Sequence, residues 1–190
     1  MDLSKHNIIL GSASPRRQQL LKDAGFTFKT VSIDADESFS SNLKAEEIPV
    51  YLSQKKASVY PEKLNENEIL ITADTIVWVD NIVLNKSAND FEATQMLQFL
   101  SGKMHQVFTG VSITSNKKQV SFFDETKVYF KTVTEQEISF YIKNYKPFDK
   151  AGSYGAQDWL GLIAIEKIEG SYFNVMGLPT HKLYEQLNLF

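Results

Sequence analysis

The stretch Ile8-Ile-Leu-Gly-Ser-Ala-Ser-Pro-Arg-Arg17 constrains the chain more than any other: an apolar run breaks into small polar residues and enters a helix through two arginines. It predicts a strand, a tight loop and a helix start at about residue 15. Ser14 suits the N-cap, where its hydroxyl can accept an unpaired backbone N–H, and Pro15 suits the first helical position, where no N–H is needed. Leu20, Leu21 and Ala24 recur at helical spacing, and Gly25 stands where a left-handed residue would close the helix. The N-terminus of that helix would offer backbone N–H groups together with Ser12, Ser14, Arg16 and Arg17, a cup suited to a phosphate. The alternative is that both arginines are solvated first-turn cations. Cations oppose the helix dipole there, so an anion is expected nearby.

Beyond this stretch, Phe26–Ile33 predicts a second short strand that runs into the acidic turn Asp34-Ala-Asp-Glu37, whose carboxylates need solvent or a cation. Residues 38–47 are polar and serine-rich and predict a mobile connection. Pro49 is expected to open a helix carrying Tyr51, Leu52, Lys55, Lys56 and Val59, which Pro61 ends. Ile69-Leu-Ile-Thr-Ala-Asp74 is an apolar, β-rich run of the kind that fills a sheet covered on both faces. Carboxylates are rare in such strands, and ligands of α/β proteins gather at strand ends, so Asp74 at the end of the run is a candidate functional residue, the alternative being a capping one.

Ile76–Val79 and Ile82–Leu84 flank Asp80-Asn81 as a tight hairpin. Asn89 and Glu92 resemble a capping box before a helix closed by Gly102. Residues 107–131 read as a long hairpin turning at 115–118, and Thr134-Glu-Gln-Glu137 opens a helix with Ile138, Tyr141, Ile142 and Tyr145 on its apolar face. The segment 148–157, irregular around two glycines, is expected to cradle a ligand. Gly161–Glu166 is expected to resume as strand, and Pro179 to start a terminal helix with Leu183, Tyr184 and Leu187 on one side. Interleaved helices and strands together with a long hairpin require a mixed-sheet α/β fold.

Composition narrows the function classes. The 190 residues are 43% apolar, enough for a core, and are expected to form one domain, 1–190. Twenty Lys and Arg against 23 Asp and Glu disfavour duplex or membrane-surface binding. The absence of cysteine excludes disulfides and thiolate chemistry, and no apolar run approaches membrane-spanning length. With no signal-peptide pattern in residues 1–7, a soluble cytoplasmic protein is expected. The three histidines form no zinc spacing or dyad, and neither a Walker loop nor a Gly-x-Gly-x-x-Gly run is present.

What remains is Arg16, Lys56 and Lys86 on one side and Glu37 and Asp74 on the other. A nucleoside triphosphate needs cations to offset its charge and a hard divalent ion to bridge its oxygens, and an aspartate can deprotonate the attacking water. These are the parts of a phosphoanhydride hydrolase.

The same residues carry a family resemblance. Ser12-Ala-Ser-Pro-Arg-Arg17, Asp36-Glu37, Lys56-Ala57, Asp74-Thr75, Leu84-Asn-Lys86, Ser101-Gly-Lys-Met-His105, Thr109-Gly-Val111, Asp149-Lys-Ala-Gly152, Gln157, Ile168-Glu-Gly-Ser171 and Asn174-Val-Met-Gly-Leu-Pro179 together resemble the Maf (septum-formation inhibitor) family, in order and over nearly the whole chain. The resemblance implies an elongated mixed α/β fold related to the inosine triphosphate pyrophosphatases, with two lobes and a central cleft. It also implies divalent-metal-dependent hydrolysis of nucleoside triphosphates to the monophosphate and pyrophosphate, the metal being Mg²⁺ or Mn²⁺. Asp74 matches the proton acceptor. Ser12, Ser14, Arg16, Lys56 and Lys86 match substrate-handling positions, and Glu37 and Asp74 match the metal site.

Arg16, Thr75 and Gln157 resemble the branch acting on dTTP and UTP, and a glutamine offers the donor and acceptor that a uracil or thymine edge requires. A homodimer is left open, and the alternative to an enzyme is a nucleotide-sensing regulator of cell division. Two positions depart from the family. Asn85 replaces the usual glycine before the lysine and is expected to reshape the Lys86 loop, because asparagine tolerates positive φ less well. Lys146 stands where an acidic residue commonly precedes the proline, and is expected to alter substrate loading.

Overall fold

The computed structural model describes residues 6–190, so the leader expectation for residues 1–7 lies mostly outside the described residues. The elements are β1 (Asn7–Gly11), α1 (Pro15–Asp23), β2 (Phe28–Val31), α2 (Glu47–Ser58), β3 (Glu68–Val79), β4 (Ile82–Leu84), α3 (Asp90–Leu100), β5 (Met104–Thr114), β6 (Gln119–Phe130), α4 (Glu135–Tyr145), α5 (Trp159–Ala164), β7 (Ile165–Glu169), α6 (Tyr172–Val175) and α7 (Thr180–Leu189). They build a seven-stranded sheet of order β2-β1-β3-β5-β6-β7, with β4 paired to β3. The sheet is mixed, as a chain containing both helix-linked strands and hairpins demands: β1 is parallel to β2 and β3, while β3–β4 and β6–β7 are antiparallel. No helix among the described residues is long and apolar enough to cross a membrane.

The chain divides into two compact units. The first contains residues 1–74, 109–124 and 177–190. In it Ile9, Ala57, Leu64 and Leu70 pack together, joining β1, α2 and β3. The second contains residues 75–108 and 125–176. Its core gathers Val77, Leu97, Leu100, Val128, Tyr141 and Leu160 among others, and each fully buried leucine there contributes about 1.5–3 kcal/mol.

Local chemistry explains most element boundaries. Ser14 caps α1 by accepting from the Arg17 N–H, Pro15 takes the first helical position, and Gly25 follows at φ 84°. Asp80 and Asn81 sit at φ 50° and 62°, the left-handed pair that a two-residue hairpin matching the sheet twist requires. Thr134 and Glu137 form the reciprocal capping box of α4.

Four expectations need correction. Helix α2 starts at Glu47, two residues before Pro49, which the first turn accommodates because its N–H groups have no helical partner. Residues 161–164 are helix, not strand. Gly161 lies against the backbone of Ala156, where an added Cβ would meet the carbonyl oxygen at 2.1 Å, and a short apolar run carries no periodicity to distinguish the two states. Strand begins only at Ile165. Tyr145 is 42% exposed and not part of the α4 core face. Asn85 is absent from the positive-φ residues of the described chain, so its backbone has no need of glycine.

Candidate active site

Asp74 is not at a strand end. It lies in the middle of the continuous twelve-residue β3, with 8% of its surface exposed. Its neighbour β1, however, stops earlier: the parallel register ends with Leu10 opposite Ile71. Asp74 therefore projects from β3 beyond the carboxyl end of β1, the place where α/β sheets collect ligands.

The chain leaving β1 fills that position with polar groups. Ser12 Oγ accepts from the Ser14 N–H at 3.2 Å and from Arg17 Nη1 at 3.4 Å. Arg17 also donates from Nε to the Gly177 carbonyl at 2.7 Å and from Nη1 to the Ala73 carbonyl at 2.9 Å. It thus supplies a donor to β3 past the point where β1 ends. Burial lowers the Arg17 pKa, and the facing charges of Asp74 and Glu37 oppose that shift while Arg16 adds to it. The solvated-cation reading fails for Arg17, which is anchored on three oxygens. Arg16 is half-buried on the same turn.

Opposite stands the last turn of α2. Lys56 Nζ donates to Asp74 Oδ1 and, at 2.9 Å, to Glu37 Oε1, so one ammonium bridges two carboxylates. Its side chain is only 12% exposed. Lys55 holds the same loop one residue earlier: its Nζ lies 2.9 Å from Asp36 Oδ2 and 2.9 Å from the Ser38 carbonyl. The Lys55 and Ser38 hydrogen bonds hold the Asp36 carboxyl well below the usual carboxylate range. Adjacent lysines on α2 thus grip adjacent acids, Asp36 and Glu37, and the acidic turn finds the cation it needs.

Ser12, Ser14, Arg17, Glu37, Lys56 and Asp74 are all brought together in the first unit. No group of three or more His, Asp or Glu residues suited to a metal occurs among the described residues. Two carboxylates converging on one ammonium nonetheless match the way Mg²⁺ is held, by one or two carboxylates with phosphate oxygens completing the shell. The donor set fits a hard divalent cation.

Thr75, Lys86 and Gln157 belong to the second unit. Thr75 follows Asp74 on β3 and so points to the other face of the strand. Lys86 is exposed, and its backbone bridges that of Ala151. Gln157 is half-buried beside Gly155, where an added Cβ would meet its Nε2 at 3.0 Å, and its Oε1 is buried without a hydrogen-bond partner. The neighbouring Asp158 is held by the Tyr141 hydroxyl at 2.9 Å and lies 3.5 Å from Lys150. The Asp149–Lys150 ion pair is present at 2.8 Å. His105 takes no part in a dyad: it is buried, with Nε2 2.7 Å from the Tyr154 hydroxyl.

A profile of the family described as Maf-like protein matches residues 7–190. The chain is 49% identical over 187 residues to a dTTP/UTP pyrophosphatase of Phocaeicola vulgatus, covering 98% of this chain and 97% of that protein. It is 50% identical over 185 residues to a dTTP/UTP pyrophosphatase of Christiangramia forsetii, covering 97% and 94%. Among solved structures it is similar in fold to the Staphylococcus aureus Ham1 protein, with a TM-score of 0.50 and 14% identity over 95% of this chain and 99% of that one. At that identity the likeness is one of fold alone.

Proposed function

This chain belongs to the Maf-like family, and from that premise we propose that it is a pyrophosphatase of dTTP and UTP, releasing the monophosphate and pyrophosphate. The observation that carries the reading is the Lys56 ammonium shared by Asp74 and Glu37, in the same unit as Arg17 and the serine-lined start of α1. The names of the full-length relatives point to the same activity.

Each part has a task in such a reaction. The N-terminus of α1, with Ser12, Ser14 and Arg16, binds phosphate oxygens through N–H groups, hydroxyls and charge. Arg17 keeps that turn against β3. Asp74 takes the proton of the attacking water, and Lys56 orients the carboxylate and offsets charge developing on the phosphates. Glu37 and Asp74 would hold Mg²⁺ or Mn²⁺, which when bound supplies charge neutralisation for the polyphosphate. Thr75, Lys86 and Gln157 are assigned to substrate recognition on the family resemblance. A cytoplasmic location, where nucleoside triphosphates are held, is part of the same reading.

A panel of nucleoside triphosphates assayed for pyrophosphate with Mg²⁺, with Mn²⁺ and with chelator tests this function. Pyrophosphate from dTTP and UTP, lost on chelation, is expected. Triphosphate binding without pyrophosphate under either metal would replace the enzyme by a nucleotide sensor.

A further inference from the structure

The contact between Lys56 and Asp74 is a rung joining α2 to β3, and a second polar rung lies below it. Three residues before Lys56, one turn back on the same helix face, is Ser53; two residues before Asp74, on the same strand face, is Thr72. Thr72 Oγ1 donates to the Ser53 carbonyl at 2.7 Å, and both residues are fully buried. The spacings differ by about 2 Å, about 4.5 Å for three helical residues against about 6.6 Å for two strand residues, and the long Lys56 side chain spans the difference.

The lower rung is fixed from a second side. Ser53 Oγ donates to the Val50 carbonyl at 2.7 Å and lies 2.8 Å from Ser112 Oγ on β5, which in turn lies 2.9 Å from Ser121 Oγ on β6. Two residues before Ser112, Gly110 leaves room for the first turn of α2. A Cβ there would meet the Pro49 carbonyl carbon and the Val50 nitrogen at 2.3 Å. Three buried hydroxyls and one bare backbone position thus set the height of α2 on the sheet. Apolar packing, which has no direction, would not fix it so closely.

We propose that Thr72 and Ser53 are positioning residues, whose hydrogen bond sets the register of α2 on β3 and so places the Lys56 ammonium on Asp74. The inference rests on the function proposed above and concerns how that site is held. Thr72 suits the test because its loss strands no acceptor: the Ser53 carbonyl lies within α2 and keeps its helical partner, the Ala57 N–H.

Thr72→Val keeps the side-chain shape and removes the hydroxyl; Thr72→Ser keeps the hydroxyl. Thr72→Val is expected to lower kcat on dTTP about 10- to 100-fold, the cost of a displacement of about 1 Å, with KM changing far less, and Thr72→Ser is expected to restore most of the loss. In a Lys56→Met background Thr72→Val should have little further effect on kcat, because the group it positions is gone. The inference is overturned if Thr72→Val keeps full kcat, or lowers it by the same factor with and without Lys56. Were no triphosphate turned over by the parent protein, the function would fall and the same cycle would be read on thermal unfolding. There Thr72→Val should lower Tm less in the Lys56→Met background than in the parent, and equal shifts would overturn the inference.

Discussion

Arg17 Nη1 donates to the Ala73 carbonyl at 2.9 Å, tying the first turn of α1 to the residue that precedes Asp74. The first helix is therefore held to β3 directly beside Asp74, the residue proposed above as the proton acceptor. The tie is made by a guanidinium whose three contacts, to Ser12, Ala73 and Gly177, need its planar fork.

Arg17→Lys keeps the charge but cannot make the three contacts together. It is expected to destabilise the fold by roughly 2–3 kcal/mol, since hydrogen bonds to charged groups contribute about 1.5–3 kcal/mol each. Turnover should fall at least tenfold although Asp74 is untouched. Urea unfolding beside a turnover assay checks both, and a variant within 0.5 kcal/mol of the parent, by the scale of ordinary surface substitutions, would remove Arg17 from this role.

Burial in the second unit, against Phe130 and Tyr154, pushes His105 down to about 3. It is neutral in the folded chain at any pH above that, whereas an unfolded histidine gains its proton near pH 6.5. The unfolded state thus binds the extra proton as pH falls, and stability drops from about pH 6.5 downward by up to about 1.4 kcal/mol per pH unit. Carboxyls held low in the fold, Asp36, Glu137 and Glu169, add to the loss only below about pH 4.5, leaving pH 6.5–4.5 to His105. His105→Gln can still bond the Tyr154 hydroxyl and should flatten the stability–pH curve in that window. Parallel curves for the two proteins would refute the assignment.

Lys146 ends α4 at φ 44°, a left-handed position that costs a side chain about 1 kcal/mol. Lys146→Gly is expected to stabilise the protein by up to about 1 kcal/mol, because glycine at such a cap carries no Cβ penalty. Thermal unfolding measures it, and a lower Tm would show that the lysine side chain contributes more than its backbone costs.

The fold was legible wherever a local rule sets a boundary. The Ser14 cap, the Asp80-Asn81 turn, the Thr134 capping box and the 115–118 turn all stand where hydrogen-bonding chemistry and φ preferences put them. Residues 161–164 were not legible, because their helical state depends on Gly161 resting on Ala156, a contact outside any periodic pattern. The short α6 was missed as well, though Ser171, which caps it, was the available signal. At the site, charge type and placement pointed to Lys56, Glu37 and Asp74, and the structure joins them. Choosing between neighbours was harder. Which of Arg16 and Arg17 anchors α1 to β3 depends on where β1 stops against β3, a register that no single stretch of sequence contains. The hydroxyl rungs of Thr72 and Ser53 were invisible for the same reason, since each residue reads alone as an ordinary small polar side chain.

The most direct test of the account is pyrophosphate release from dTTP by Asp74→Asn, measured beside the parent protein with Mg²⁺ and with its fold verified by thermal unfolding. Loss of the group proposed to take the proton from water is expected to reduce turnover by about 10²- to 10⁴-fold while the variant stays folded. A folded Asp74→Asn protein that releases pyrophosphate at the parent rate would contradict the account at its centre.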